Sequence, residues 1–360
     1  MNESHDRLLA RRSFLQMSAA TGVALALTSR SFAAAMPPVQ LQTPSGKPLR
    51  GLYPILQTPF TDKDQLDTES LTAEVKFINR GGVAGMIWPV FASSWSTLSD
   101  AERIEGAETI LAAAKGGRSA VAIAVQNTAW DTATSVRYAK HAASKGADAI
   151  VSIPPNNGWN VSDQSVIDYY KAIGKATDLP LVVQTRGTIS VDLMVEMFKQ
   201  IPTMKATKDE VGDPLERAPE LMKRTGNKLA IWNAGGGTGN QLLEILPLGF
   251  AGLCPTPQYS DLLQQVMDLY WAGKKQEAFD MYGRVQAFAT LPGATDYMMV
   301  ARGVFKETNK LRQQPMEPEA KAANPGGGGG GSRRNAPLTD TQKQHIRESL
   351  DTYLKPYLRA

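Results

Sequence analysis

The chain has 360 residues, of which 42% are hydrophobic, so it can bury one large core or two modest ones. Its 39 basic residues outnumber its 35 acidic residues only slightly and form no sustained basic run, which argues against a nucleic-acid partner. Cys254 is the single cysteine, so no intrachain disulfide can form. Its apolar surroundings favour a buried small side chain over a catalytic thiol.

The first 35 residues have the features of an export signal. Arg11 and Arg12 precede an uncharged stretch over 13–29 that is rich in Ala and Leu, and the small residues of 31–35 suit a cleavage site. Residues 11–16 resemble the twin-arginine motif, which directs folded proteins to the twin-arginine export machinery. We therefore expect a mature protein that is periplasmic or extracytoplasmic. An ordinary secretory signal and an uncleaved lipid anchor are the alternatives.

From Gly51 onward, short apolar runs alternate with amphipathic stretches, which is typical of repeated βα units around a parallel sheet. A further helix begins at the sequence Ser99-Asp100-Ala101-Glu102, which resembles a capping box. Eight units predict an α/β fold, a (β/α)8 TIM barrel, with a doubly wound open sheet as the alternative. The predicted strands are 52–58, 85–90, 120–125, 149–153, 180–185, 204–208, 229–233 and 252–256, and the other predicted helices are 70–80, 132–144, 162–176, 191–200 and 240–246.

Helical patterns continue beyond the eighth strand, over 259–271, 275–289 and 294–308, and predict a C-terminal helical extension. Three prolines and six consecutive glycines then indicate a flexible linker, followed by a terminal helix over 339–358. The predicted organisation is a signal peptide over 1–35, an N-terminal linker over 36–50, the barrel over 51–258, C-terminal helices over 259–312, a linker over 313–337 and a terminal helical segment over 338–360.

Lys208 is the candidate catalytic residue, because it ends the sixth predicted strand at the face where barrels of this kind carry their active sites. Alternation along the strand places it in phase with Met204 and Ala206, pointing into the barrel. Burial lowers the pKa of a lysine and yields a neutral amine that can attack a carbonyl carbon. The alternative is a structural ion pair with Asp209 or Glu210 at the rim.

Five sequence blocks resemble the dihydrodipicolinate synthase/N-acetylneuraminate lyase superfamily. They are residues 51–60, Thr97-Leu98-Ser99 with Glu102, residues 146–149 with Pro154-Pro155, residues 178–183, and Lys208-Asp209 with Gly212-Asp213. The similarity runs nearly without gaps from about residue 51 to residue 300. The resemblance implies a homo-oligomer, and it implies that Lys208 forms an imine with a 2-keto acid.

The chain departs from this family at three places. Residues 90–94 replace the Gly-Thr-Thr-Gly-Glu loop that binds the carboxylate of the keto acid in the family. Gln184 stands where the family has a tyrosine that shuttles protons, and Asn156 and Asn157 replace a pair of tyrosines. An amide is neither an acid nor a base near neutral pH, so the usual proton relay is missing. Only Lys208, Asp209 and Glu210 remain as evident proton carriers near the site.

The candidate substrate-binding residues follow the ends of the predicted strands, where their amides, hydroxyls and rings can orient a small molecule. They are Ser93, Ser94, Trp95, Asn156, Asn157, Trp159, Gln184, Thr185, Arg186 and Asn233. Arg186 could pair with a substrate carboxylate, and a rim arginine bonded to Asp209 or to a backbone carbonyl is the alternative.

Two further features of this face are open to two interpretations. Trp95, Trp130 and Trp159 either wall a pocket for a sugar-like or aromatic substrate or fasten the loops to one another. The glycine-rich stretch 235–239 either binds phosphate or forms a tight turn before the next helix.

Beyond the signal, His141 and His345 are the only histidines, both fall in predicted helices, and no cluster has metal-ligand spacing, so we expect neither a metal nor an organic cofactor. The sequence therefore predicts a Schiff-base-forming lyase, of aldolase or dehydratase type, whose small-molecule partner is a 2-keto acid or a sugar-acid derivative. The alternative is a catalytically lapsed barrel that serves as a periplasmic small-ligand-binding protein.

Overall fold

A computed structural model describes residues 41–313 and 337–359. The export signal predicted over 1–35 lies outside the described residues, as does nearly all of the linker predicted over 313–337. Within the described ranges, no helix combines the length and the apolar character that crossing a membrane requires.

Eight parallel strands form a barrel, which confirms the predicted fold class. The strands of the chain are β1 (Gly51–Leu52), β2 (Pro59–Phe60), β3 (Gly85–Trp88), β4 (Ala120–Ala124), β5 (Ala149–Ser152), β6 (Leu181–Gln184), β7 (Met204–Asp209), β8 (Ala230–Asn233), β9 (Gly252–Leu253) and β10 (Lys310–Leu311). All but β2 and β10 lie in one sheet with the order β1-β9-β8-β7-β6-β5-β4-β3. Hydrogen bonds of Ile87 with Pro54 and Leu56, at 2.9 and 3.0 Å, join its two ends.

Helices alternate with these strands and cover the outside of the barrel. They are α1 (Thr68–Arg80), α2 (Asp100–Ala114), α3 (Thr132–Ser144), α4 (Asp163–Ala176), α5 (Val191–Gln200), α6 (Pro214–Arg224), α7 (Leu242–Ile245), α8 (Ser260–Trp271), α9 (Lys275–Ala289), α10 (Ala294–Ala301) and α11 (Asp340–Ser349). The capping box before α2 is present, since Ser99 and Glu102 accept from each other's backbone N–H groups.

Three helical segments differ from their predictions. Helix α6 was not predicted, because its two prolines, Pro214 and Pro219, suggest a loop. Pro214 lies in the first turn, where proline is tolerated. Helix α10 ends at Ala301 instead of residue 308, and Gly303 follows in the left-handed region. The terminal helix ends at Ser349 and continues as a wider π turn over Leu350–Leu354.

The interior of the barrel is lined mainly by small residues and filled by two large rings. Its buried alanines are Ala120, Ala122, Ala124, Ala149, Ala206, Ala230 and Ala251. Tyr53 and Trp232 stack between them with ring centroids 4.2 Å apart. Gly85 lies against the Tyr53 ring, which leaves no room for a Cβ atom. A second apolar layer lies between the strands and the helices.

The inward direction of Lys208 depends on the register of β7. A shift between Leu181 and Val182 pairs Val182 with Ala206, which lies in the inner core. Lys208 is two residues further along and shares that inner face. The prediction that Met204 faces the same way was wrong, because the irregularity moves Met204 to the outer apolar layer.

An antiparallel pair near the mouth of the barrel was not predicted. Lys310 and Leu311 of β10 pair with Phe60 and Pro59 of β2. The next residue, Arg312, donates to Glu102 at 2.8 and 3.0 Å, and its carbonyl accepts from the hydroxyl of Ser94 at 2.5 Å. The segment after α10 therefore returns to the barrel and fastens the loop that follows β3.

Candidate active site

The amine of Lys208 is buried inside the barrel and bonded to a carboxylate. Lys208 is 4% exposed, and its Nζ lies 2.6 Å from Oε1 of Glu210. The ion pair foreseen as the alternative is thus present, with Glu210 as the partner. It differs from a rim ion pair, because the lysine is enclosed instead of solvated.

Two polar contacts fix the position of Glu210. Its Oε2 accepts from Nε2 of Gln184 at 2.6 Å, and its backbone N–H donates to Oγ1 of Thr185 at 2.8 Å. Burial favours a raised pKa for Glu210, but the positive charges of Lys208 and Arg186 and the hydrogen bonds that Lys208 and Gln184 donate to the carboxylate outweigh it and hold the pKa below its usual value. The carboxyl group is therefore ionised in the resting site.

Asp209 faces away from Lys208, toward the outer helices. Its carboxylate accepts from Nε of Arg217 at 2.8 and 3.1 Å and from the hydroxyl of Thr185 at 2.6 Å. Burial raises the pKa of Asp209, although Arg217 and Thr185 oppose this effect. Of the two carboxylates predicted as partners of Lys208, only Glu210 therefore contacts the amine.

Arg186 follows β6 and stacks over the Phe91 ring, with its guanidinium carbon 4.2 Å from the ring centroid. Its Nε is buried and has no hydrogen-bond partner among the described residues. The alternative in which Arg186 bonds Asp209 is not observed, because Arg217 occupies that carboxylate. The guanidinium charge lowers the pKa of Glu210, and the unbonded Nε keeps capacity for an anionic group.

An aromatic cluster lies at the mouth of the barrel. The Trp95 ring makes edge contacts with Phe91 and Trp130, at centroid distances of 6.5 and 5.5 Å. Trp95 is also part of the inner core, so it closes the top of the barrel interior and joins two loops. Trp159 is half-buried and has no ring contact within the described part of the chain. Two of the three tryptophans therefore come together.

Four of the remaining predicted polar residues bond backbone groups, Asn156 and Asn233 within their own loops and Ser93 and Ser94 in other segments. The hydroxyl of Ser93 donates to the Leu56 carbonyl at 2.5 Å, as that of Ser94 does to Arg312. Asn156 donates to the Trp159 carbonyl at 2.7 Å, and Asn233 accepts from the Gly235 N–H at 3.2 Å. Asn157 is fully buried, and both Asn156 and Asn157 have left-handed backbones.

The glycine-rich stretch after β8 is a tight turn. Gly235, Gly236 and Gly239 have positive φ angles, and the N–H of Asn240 donates to the Gly235 carbonyl at 2.7 Å. Side chains at Gly235 and Gly239 would overlap Leu253 and Leu263. The turn explains these glycines without a phosphate.

Two residues near Lys208 were assigned no role in the site from the sequence. Phe91 supports Arg186, which the sequence could not indicate because their loops follow different strands. Cys254 is buried after β9, and burial raises the pKa of its thiol well above the usual range. The charges of Lys208 and Glu210 also affect the pKa of this thiol, and the raised pKa keeps the thiol uncharged.

Comparison with known proteins supports the same architecture. 4-Hydroxy-tetrahydrodipicolinate synthase of Methanosarcina barkeri is 25% identical over 309 residues, which cover 83% of this chain and 97% of that protein. L-2-keto-3-deoxyarabonate dehydratase of Azospirillum brasilense is 24% identical over 249 residues, which cover 67% of this chain and 78% of that protein.

Among solved structures, N-acetylneuraminate lyase of Mycoplasma synoviae has a TM-score of 0.66 at 19% identity and covers 85% of this chain and 98% of its own. This likeness shows the fold. The model of the dihydrodipicolinate synthetase family matches residues 48–301, and the synthase and dehydratase relatives support lyase chemistry at the level of the family. The chain therefore belongs to the dihydrodipicolinate synthetase family.

Proposed function

We propose that this protein is a Schiff-base-forming lyase, of aldolase or dehydratase type, that acts on a 2-keto acid or a sugar-acid derivative through Lys208. The observation that carries the proposal is the enclosed amine of Lys208, held at the C-terminal end of β7 beside a carboxylate that can accept its proton. Once it loses that proton, the amine can attack a carbonyl carbon.

The groups around Lys208 suit an acidic, hydroxylated substrate. Arg186 offers a guanidinium to the substrate carboxylate in place of the loop that other family members use. Oε1 of Gln184 is buried and has no donor among the described residues, so a substrate hydroxyl can donate to it. Phe91 and Trp95 supply an apolar wall beside these polar groups.

Borohydride trapping of the purified protein with a panel of 2-keto acids and sugar-derived acids tests this function. We expect a reduced adduct on Lys208 by intact mass and peptide mapping, and none in Lys208→Ala. Lys205→Ala is the matched control, because Lys205 lies on the same strand but is exposed, and it must retain the adduct.

A small-ligand-binding protein is the second candidate, and the Lys208–Glu210 ion pair favours it, because a paired ammonium is not a nucleophile. The hydroxyls of Ser93 and Ser94 also favour this candidate, because both are bonded to backbone carbonyls. A protein that forms no adduct with any acid, while one of the acids raises its melting temperature, fits this candidate instead of the lyase.

We further propose that the protein is exported by the twin-arginine route and assembles as a homo-oligomer. Support for export comes from Arg11 and Arg12 and from the small residues over 31–35. Cell fractionation should place the mature chain outside the cytoplasm, and replacing both arginines with lysine should retain the precursor inside. Light scattering of the mature protein gives its oligomeric state.

A further inference from the structure

The carboxylate of Glu210 is held at both oxygens. Oε1 receives a hydrogen bond from Lys208 Nζ and Oε2 receives one from Gln184 Nε2, each at 2.6 Å. Lys208 and Gln184 are 4% and 0% exposed, and the Glu210 side chain is 16% exposed. A carboxylate held in this way cannot rotate freely, so one oxygen stays beside the nitrogen that would form the imine.

No other proton carrier among the described residues near Lys208 has this geometry. Asp209 is adjacent in sequence, but its oxygens are occupied by Arg217 and Thr185 on the opposite side of β7. The thiol of Cys254 keeps its proton, because burial raises its pKa. Gln184, which occupies the position of the family's tyrosine, has an amide that is neither an acid nor a base near neutral pH.

We propose that Glu210 is the residue that transfers protons in this site, to and from Lys208 and from the carbon next to the imine, and that Gln184 positions it. The inference rests on the proposed function and adds to it the group that replaces the family's missing tyrosine. Glu210 is a catalytic residue because its carboxylate contacts the reacting nitrogen. Gln184 is a positioning residue because it contacts Glu210.

The proton transfers balance at each step. Glu210 takes a proton from the Lys208 ammonium. The free amine adds to the ketone carbon as the C=O π bond breaks, and a proton passes from the nitrogen to the oxygen to give a carbinolamine. The carboxylic acid returns its proton to the carbinolamine hydroxyl, the C–O bond breaks, and water leaves as the iminium ion forms. The Glu210 carboxylate then takes a proton from the adjacent carbon, and the electron pair of that C–H bond forms the enamine.

Hydrogen–deuterium exchange at the methyl group of pyruvate, followed by NMR in D₂O, separates this role from imine formation. Exchange requires both the imine and a base, whereas borohydride trapping after long incubation requires only the imine. Glu210→Gln keeps the shape of the side chain and an oxygen for the neutral amine. We expect this variant to trap pyruvate on Lys208 to the wild-type end point while exchange falls about 10²- to 10⁴-fold.

Two further variants guard against a structural explanation. Acetate should restore exchange to Glu210→Ala, which a purely structural role would not allow, because the small acid refills the space left by the carboxylate. Glu216→Gln, an exposed position on α6, should exchange at the wild-type rate.

The outcomes distinguish this inference from the proposed function. Exchange within about threefold of wild type in Glu210→Gln, or no rescue of Glu210→Ala by acetate, overturns the role of Glu210 and leaves the Lys208 imine standing. Absence of any trapped adduct in the wild type overturns both.

Discussion

Nε of Arg217 on α6 lies 2.8 Å from Oδ2 of Asp209, whose side chain is 1% exposed. This contact ties the strand that carries Lys208 to the helix behind it. It also separates two adjacent carboxylates, so that Asp209 supports the barrel wall and Glu210 faces the reacting amine.

Arg217→Met should therefore destabilise the fold by about 3–5 kcal/mol, because it leaves the Asp209 charge buried without its partner. Urea unfolding at neutral pH measures this loss. Asp209→Asn in the same chain should recover much of it, since the double variant buries no unpaired charge. Arg224→Met, which removes exposed ion pairs with Glu220 of the same helix and with Asp192 of α5, should leave the unfolding midpoint nearly unchanged. An equal effect of the two arginine variants would contradict this role for Arg217.

Arg186→Gln should weaken binding of the keto acid about 10- to 100-fold, because a charge-assisted hydrogen bond contributes about 1.5–3 kcal/mol. Trapping on Lys208 should reach the wild-type level once the acid saturates the site. The concentration of acid that gives half-maximal trapping is the quantity to measure. Arg137→Gln, at an exposed pair with Asp100, is the matched control. Unchanged affinity in Arg186→Gln would show that the substrate carboxylate binds elsewhere.

Glu74→Gln should change how stability depends on pH. Glu74 on α1 is fully buried, and among the described residues only the Gln57 N–H bonds to its carboxyl group, at Oε1. Burial raises the pKa of Glu74 well above the ordinary 4.5. When folding raises the pKa of a group, the stability that the group contributes is fully present below its pKa in the unfolded chain. That stability is lost as the pH rises through its pKa in the folded protein.

Relative to Glu74→Gln, the wild type should therefore lose stability from about pH 4.5 upward, by at most about 1.4 kcal/mol per pH unit. Urea midpoints of both proteins at several pH values between 4 and 8 test this expectation. A constant difference between the two proteins would contradict the assignment of a protonated carboxyl group.

Asp67 should have the opposite effect on how stability depends on pH. Burial favours a raised pKa for this residue, but hydrogen bonds from Ser70, Asn309 and Lys306 outweigh it and lower the pKa from 3.8 to about 2. The stability that Asp67 contributes is present above its unfolded value and is lost as the pH falls through about 2. Asp67→Asn should thus be less stable than wild type at pH 6, and the two should converge near pH 2. Acid unfolding followed by circular dichroism measures this convergence.

The sequence predicted features that depend on interactions between nearby residues and missed those that depend on interactions between distant ones. The capping box at Ser99 and Glu102 is local, so its pattern was readable in four residues. The pairing of β2 with β10 could not be predicted, because each strand has only two residues and the two strands are about 250 positions apart in the sequence. Proline composition hid α6 for a different reason, since only its first-turn position makes Pro214 compatible with a helix.

The candidate site shows the same division. The position of Lys208 at a strand end could be predicted from alternation, although the irregularity near Met204 broke the pattern at the other end of the strand. The orientation of Glu210 depends on an amide from the neighbouring strand, which sequence order does not reveal. The Arg186–Phe91 contact likewise joins loops that are distant in the chain.

Closure of the barrel through the pairing of Gly51 with Gly252 sets an order of events during synthesis. On the ribosome, β1 emerges about two hundred residues before the strand that covers its free edge. A nascent chain that ends short of Leu253 therefore presents an open sheet with unpaired backbone groups, and such edges promote aggregation. The parallel sheet can be completed only when about 250 of the 360 residues have been made, so the early strands keep an open edge until that point in translation.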